Sequence, residues 1–214
     1  MKTMTIHRAL AELKTLDARI SRAIEELEVT GVAQKGKPIL AATGRVYQSE
    51  EDFVKAAKSS LDSVNALIRN KSTIKRAIVE SNSKTMVTIN GQEMSVADAI
   101  TKKSHLSLQH DLLNRIVALA RKSEGTVKTS NEKVEASLQQ LLIANFGKET
   151  KPTPDQVETV SKPYRDMNEV HPVDPLKSSE LIAKMRSDID GFTTEVDAVL
   201  SESNAVTTVE VELA

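Results

Sequence analysis

The side chains that could carry covalent or metal chemistry are few in this chain of 214 residues. There is no cysteine, so no thiolate nucleophile, disulfide or Cys-type zinc site can form, which fits a reducing compartment. The four histidines are His7, His105, His110 and His171. His105 and His110 are five apart, about 140° around a helix, and so cannot form the i,i+4 pair of a helical metal site. Asp188, Asp190 and Gly191 match a fragment of a calcium loop, but its remaining ligands are missing and a helical seam runs through it. They read as solvated helix-surface acids. No phosphate-binding GxxxxGK[ST] loop, GxGxxG turn, GxSxG elbow or HExxH pair occurs. The expectation is no catalytic residue, no metal site and no cofactor.

The remaining chemistry is cationic. Arg69, Lys71, Lys75 and Arg76 fall within eight residues, and Lys102 and Lys103 follow beyond a short turn signal containing Asn82, Ser83 and Thr85. Net charge is uneven: residues 69–122 carry ten bases against four acids, whereas 123–175 carry six against nine and 176–214 three against eight. Such a middle either meets the acidic end, within one chain or between copies, or holds an outside anion. Arg69, Lys71, Arg76, Lys102 and Lys103 are the candidate charge donors, with Asn82 as a directional hydrogen-bond partner. Nucleic acid is not an expected partner. The whole chain carries a formal charge of −1, only five aromatics are present, and no helix-turn-helix pattern appears.

These residues need elements to place them. Ile6, Ala9, Leu13, Leu16, Ile20, Ala23 and Leu27 alternate at spacings of three and four, which predicts a helix over about 4–28 with a narrow seam. Gly31, Gly36, Pro38 and Gly44 make 29–48 an irregular connection. Ser49 caps a second helix over about 50–81, with Phe53, Ala57, Leu61, Val64, Leu67, Ile68, Ile74 and Ile78 inward and Lys71 in the middle of that arc. Asn90-Gly91 predicts a hairpin over 85–94, and the alternating Val209, Val211 and Leu213 predict a C-terminal strand joining it. A third helix over about 96–122, apolar around much of its circumference, is expected to stop at Gly125, with another over 130–146. Five prolines make 147–175 an extended arm holding at most a short turn near 155–160. Asp174 and Pro175 then open a last helix, whose seam from Ile182 to Val199 suits antiparallel pairing with the first.

The segments ALAELKTLDARI, VNALIRNKSTIKRAIVESN, MSVADAITKKSHL and DIDGFTTEVDAVLSESNAVTTVEVEL resemble, in their order, the septicolysin-like family of small helical bacterial proteins. Where that family tends to carry Trp after Asn near its end, this chain has Ala205 after Asn204. The resemblance implies an oligomeric helical bundle and supplies no catalytic residues. The sequence is also similar in tone to accessory proteins of tailed phages.

The reading is a mainly α protein: an antiparallel bundle of long helices with a small hairpin joined by a C-terminal strand, forming one domain over 1–214 and assembling as a homo-oligomer. No apolar run reaches the length of a membrane span, so a cytoplasmic location is expected, in a host cell if the protein is phage-encoded. Two functions fit. One is sequestration of an anionic small molecule, such as a nucleotide signal of host immunity, in a basic pocket. The other is a virion structural or assembly role acting only through protein–protein contacts.

Overall fold

The computed structural model describes residues 1–148 and 152–213. The elements run β1 (Lys2–Thr5), α1 (Ile6–Glu25), β2 (Gly31–Val32), β3 (Ile39–Ala41), β4 (Val46–Tyr47), α2 (Glu50–Lys84), β5 (Met86–Ile89), β6 (Gln92–Ser95), α3 (Val96–Ser104), α4 (Leu106–Phe146), α5 (Pro154–Asn168), α6 (Ser178–Val206) and β7 (Thr208–Val211). The fold is mainly α with small antiparallel sheets, as the periodicity predicts. Where one domain is expected from the sequence, the chain divides into two compact units, 1–104 with 191–214, and 105–190.

The first unit is built on α1 and α2. Asp17 meets Lys71 and Glu28 meets Ser60, so position in one segment rises as the other falls and the two helices run antiparallel. Ile6, Ala9 and Leu16 of α1 pack with Ile74 and Ile78 of α2, and Met4, Val209 and Val211 close the same core. The seam of α1 is therefore filled chiefly by α2, where the sequence suggests the last helix.

The partner of the C-terminal strand is also a correction. β7 pairs with β1, Lys2 opposite Val211 and Thr5 opposite Thr208, and the β5–β6 hairpin forms a separate two-stranded sheet. Val209 and Val211 need an apolar floor, and Met4 at the mouth of the α1–α2 core supplies it. Met4 and Thr5, which the periodicity places in the first helix, belong instead to a strand over residues 2–5 that ends at the cap of α1, where the Thr5 side chain accepts from the Arg8 N–H.

The hairpin itself follows expectation. Asn90 and Gly91 take φ values of 51° and 69°, the left-handed pair of a type I′ turn. The turn sits on α6. A Cβ on Gly191 would come within 2.6 Å of the Asn90 side chain, so only glycine allows this approach without a shift. The Asn90 N–H donates to Glu195 Oε2 at 2.5 Å. Residues 29–48 are not wholly irregular, for they carry the antiparallel strands β2, β3 and β4.

The second unit departs further from the sequence reading. The break expected at Gly125 falls instead at His105, and α4 continues for 41 residues, about 60 Å. A Cβ at Gly125 would touch nothing within 4 Å, so no neighbour forces a bend there. The helix continues because one glycine costs only about 1 kcal/mol against the hydrogen bonds of the helix on both sides.

The proline-rich arm is largely helical. α5 is nucleated by a capping box, in which Thr153 accepts the Gln156 N–H and Gln156 accepts the Thr153 N–H. Pro154 occupies its first turn, where the missing donor costs nothing. Only Pro163 sits in the interior. The part of the arm at 149–151 lies outside the described residues.

Candidate functional site

The six candidate binding residues share a stretch of sequence, but the structure does not gather them into one cluster. Lys71 is half-buried and turns toward α1, where it forms an ion pair with Asp17. Arg69 and Arg76 are exposed and share another face of α2, since Lys71 stands about 160° around the helix from Arg69. Neither arginine has an ion-pair partner among the described residues. Asn82 is half-buried near the end of α2.

Lys102 reaches Gln92 of the hairpin, and α6 meets both Lys102 and Lys103. Lys103 pairs with Asp197. Lys102 donates to Gln92 Oε1 at 3.2 Å, and its ammonium lies 4.5 Å from the centroid of the fully buried Phe192 ring. Two of the five cations thus already hold a carboxylate of the chain, and a third is engaged by an amide and a ring.

Two arrangements were not visible in the sequence. The first surrounds Glu28, a buried carboxylate only 3 % exposed. Its Oε1 accepts from Thr43 Oγ1 at 2.6 Å and from the Tyr47 hydroxyl at 3.1 Å, with Arg45 at 3.8 Å. Its Oε2 has no hydrogen-bond partner among the described residues. The Glu28 N–H donates to Ser60 Oγ of α2, so one residue ties the small β2–β4 sheet to a helix.

The second is a groove between α4 and α5, with a volume of about 810 Å³. Asn131 faces Val170 and Glu135 faces Arg165, so these helices also run antiparallel. Leu138, Leu142 and Val157 line the groove, with Ser161 buried and its hydroxyl without a hydrogen-bond partner among the described residues. Along the rim, Arg165 forks onto Glu135 with bonds of 2.5 and 2.9 Å and also approaches Glu169. The hydrogen bond from Arg165 holds the Glu135 carboxyl below the ordinary carboxylate range, and the same bond raises Arg165. Glu158 and Asp166 line the same groove, exposed and without an ion-pair partner among the described residues. The signal that could have found it is Thr153-Pro154-Asp155-Gln156, a capping box with Pro at N1, followed by Val157, Val160 and Tyr164 at helical spacing.

Among the described residues, no three His, Asp or Glu side chains are grouped to hold a metal, and no helix is long and apolar enough to cross a membrane. No family model matches the chain, and no curated protein or solved structure is significantly similar to it.

Proposed function

We propose that the protein is a non-enzymatic structural or assembly component that works as a homo-oligomer through protein–protein contacts. The observation that carries this is surface. The chain exposes 15183 Å². A compact monomer of its mass exposes about 9,700 Å², and two separate compact globules of the sizes of its units would expose about 11,700 Å². The excess, at least about 3,500 Å² on either reference, is on the scale of an obligate interface. Part of the exposed surface is apolar, for Leu108, Leu112 and Leu119 stand exposed along α4.

The sequestration reading is the weaker one, because Lys71 and Lys103 already have internal carboxylates and Arg69 points away from Lys71. Native mass measurement tests the proposal. A dimer or larger species is expected at about 10 μM, with a melting temperature that rises with protein concentration. A monomer at every concentration up to about 100 μM overturns it. A nucleotide-induced thermal shift that disappears in the variant Arg69→Ala with Arg76→Ala, at unchanged mass, would favour sequestration instead.

A further inference from the structure

α2 presents a second apolar stripe. Leu61, Ile68 and Val79 fall within about 20° of one another around the helix, about a quarter turn from its buried arc of Val64, Ile74 and Ile78. The sequence places Leu61 and Ile68 inward, yet the three are 50 %, 43 % and 60 % exposed. Arg69 and Arg76 flank the stripe on one side. It is an amphipathic ridge with an apolar crest and a basic edge.

The α4–α5 groove has the complementary chemistry. Leu138, Leu142 and Val157 place apolar side chains on a lining that is otherwise largely polar, and its rim charges without an ion-pair partner among the described residues are the carboxylates of Glu158 and Asp166 against the ammonium of Lys162, since Arg165 is held by Glu135 and Glu169. Lining residues run along α5 from Pro154 to Asp166, about 18 Å, and Leu61 to Val79 spans about 27 Å of helix. Arg69 and Arg76 are about 10 Å apart along their axis, Glu158 and Asp166 about 12 Å along theirs. Two antiparallel helices bury little between them, and a third laid in the groove completes the layer.

We propose that the α4–α5 groove of one protomer receives the Leu61–Ile68–Val79 ridge of α2 from a second copy of the chain, with Arg69 and Arg76 meeting Glu158 and Asp166. The inference rests on the oligomeric reading above and names its contact. A ridge in one unit entering a groove in the other is a heterologous contact, which closes into a ring or propagates as a filament. It also brings the basic middle of one chain to an acidic segment of the next.

Charge reversal tests it. The variant Arg69→Glu with Arg76→Glu, and separately Glu158→Arg with Asp166→Arg, should each weaken self-association at least tenfold in native mass titrations. All four positions are exposed, and circular dichroism checks that helicity is kept. Combining the four substitutions in one chain should restore wild-type assembly. Because the chain has no cysteine, Ile68→Cys with Glu158→Cys should also give a ladder of covalent oligomers on oxidation that neither single variant gives. This second measurement decides the matter if a charge variant fails to fold. A wild-type monomer overturns both the oligomeric reading and this contact. A wild-type oligomer whose mass is unchanged by both reversals, or is not restored by their combination, or that yields no ladder, overturns the contact alone.

Discussion

The two units solve the problem of burying apolar surface in different ways. Among the described residues, sixteen of nineteen buried hydrophobic side chains lie in the unit formed by 1–104 and 191–214, and Leu113, Leu138 and Ile189 lie in 105–190. The first unit folds strands and helices around a shared centre. Met4, Ile6, Ile74 and Val211 come from four separate elements and reach one core. The second is held largely by polar ties at its surface. The Asn131 side chain bonds both the N–H and the C=O of Val170, Arg165 forks onto Glu135, and Asp174 accepts from Ser178 twice. Under the assembly proposed above, a second copy covers apolar residues that α4 leaves outside. Hydrophobic burial is non-directional and scales with area, whereas exposed polar ties contribute about 0–1 kcal/mol each. The second unit should therefore owe more of its stability to assembly.

The largest expected effect sets the two units against each other through one truncation in each. Phe192→Ala removes a fully buried ring from the first unit and the surface under Lys102, and should cost about 3–5 kcal/mol in denaturant unfolding. Leu138→Ala in the second should cost about 2 kcal/mol, the low end for such a change, because the groove beside it lets the site relax. Hydrogen exchange should place the first loss across the β5–β6 hairpin, α3 and α6, and the second in α4 and α5. If Leu138→Ala proves as costly as Phe192→Ala, the second unit has a core of its own and the contrast fails.

How far this contrast could be read from the sequence depended on where the signal was local. The seam of α1, the Ser49 cap and the Asn90-Gly91 turn are each fixed by neighbours in the chain, and each is where the residues imply. Strand partners are not local. Val209 and Val211 announce a strand, but only packing around Met4 and Ile78 decides that it joins β1 and leaves the hairpin alone. The candidate site shows the same limit. The cations were legible as a charge run, yet Lys71 finds Asp17 only because α1 and α2 pack in one register, and Lys103 finds Asp197 some 94 positions along the chain. Proline and glycine misled in the second unit. Pro154 starts α5, and Gly125 lies in a helix with nothing near enough to exploit its freedom.

That glycine gives a smaller test with the opposite sign. Gly125→Ala adds a methyl into open space on α4 and removes backbone freedom from the unfolded chain, so it should stabilise the second unit by about 0.5–1 kcal/mol. Thermal unfolding of the purified variant measures it. A loss of stability would mean that α4 needs a bend at this point, against its continuous course.

Acid should separate the units by the smallest margin and at the most specific place. The Arg165 hydrogen bond lowers Glu135, and the Ser178 hydroxyl and N–H lower Asp174, so both carboxyls are held below their unfolded values. A depressed carboxyl contributes stability that is present above its unfolded value, about 4 for these groups, and is lost as pH falls through the folded one. The Lys84 hydrogen bond lowers Glu80 in the same way, but that pair spans four residues of a single helix and joins no elements. Between pH 6 and 3, with intrinsic exchange rates corrected, backbone protection should therefore fall in α5 and at the start of α6 while α1 and α2 keep theirs. Glu135→Gln keeps one acceptor for Arg165 and removes the titration, so it should flatten the response of α5 and leave that of α6, whose tie is Asp174. Equal loosening of α1 and α2 over the same range would show that charge holds both units alike, and the division between a core-built unit and a surface-tied one would have to be given up.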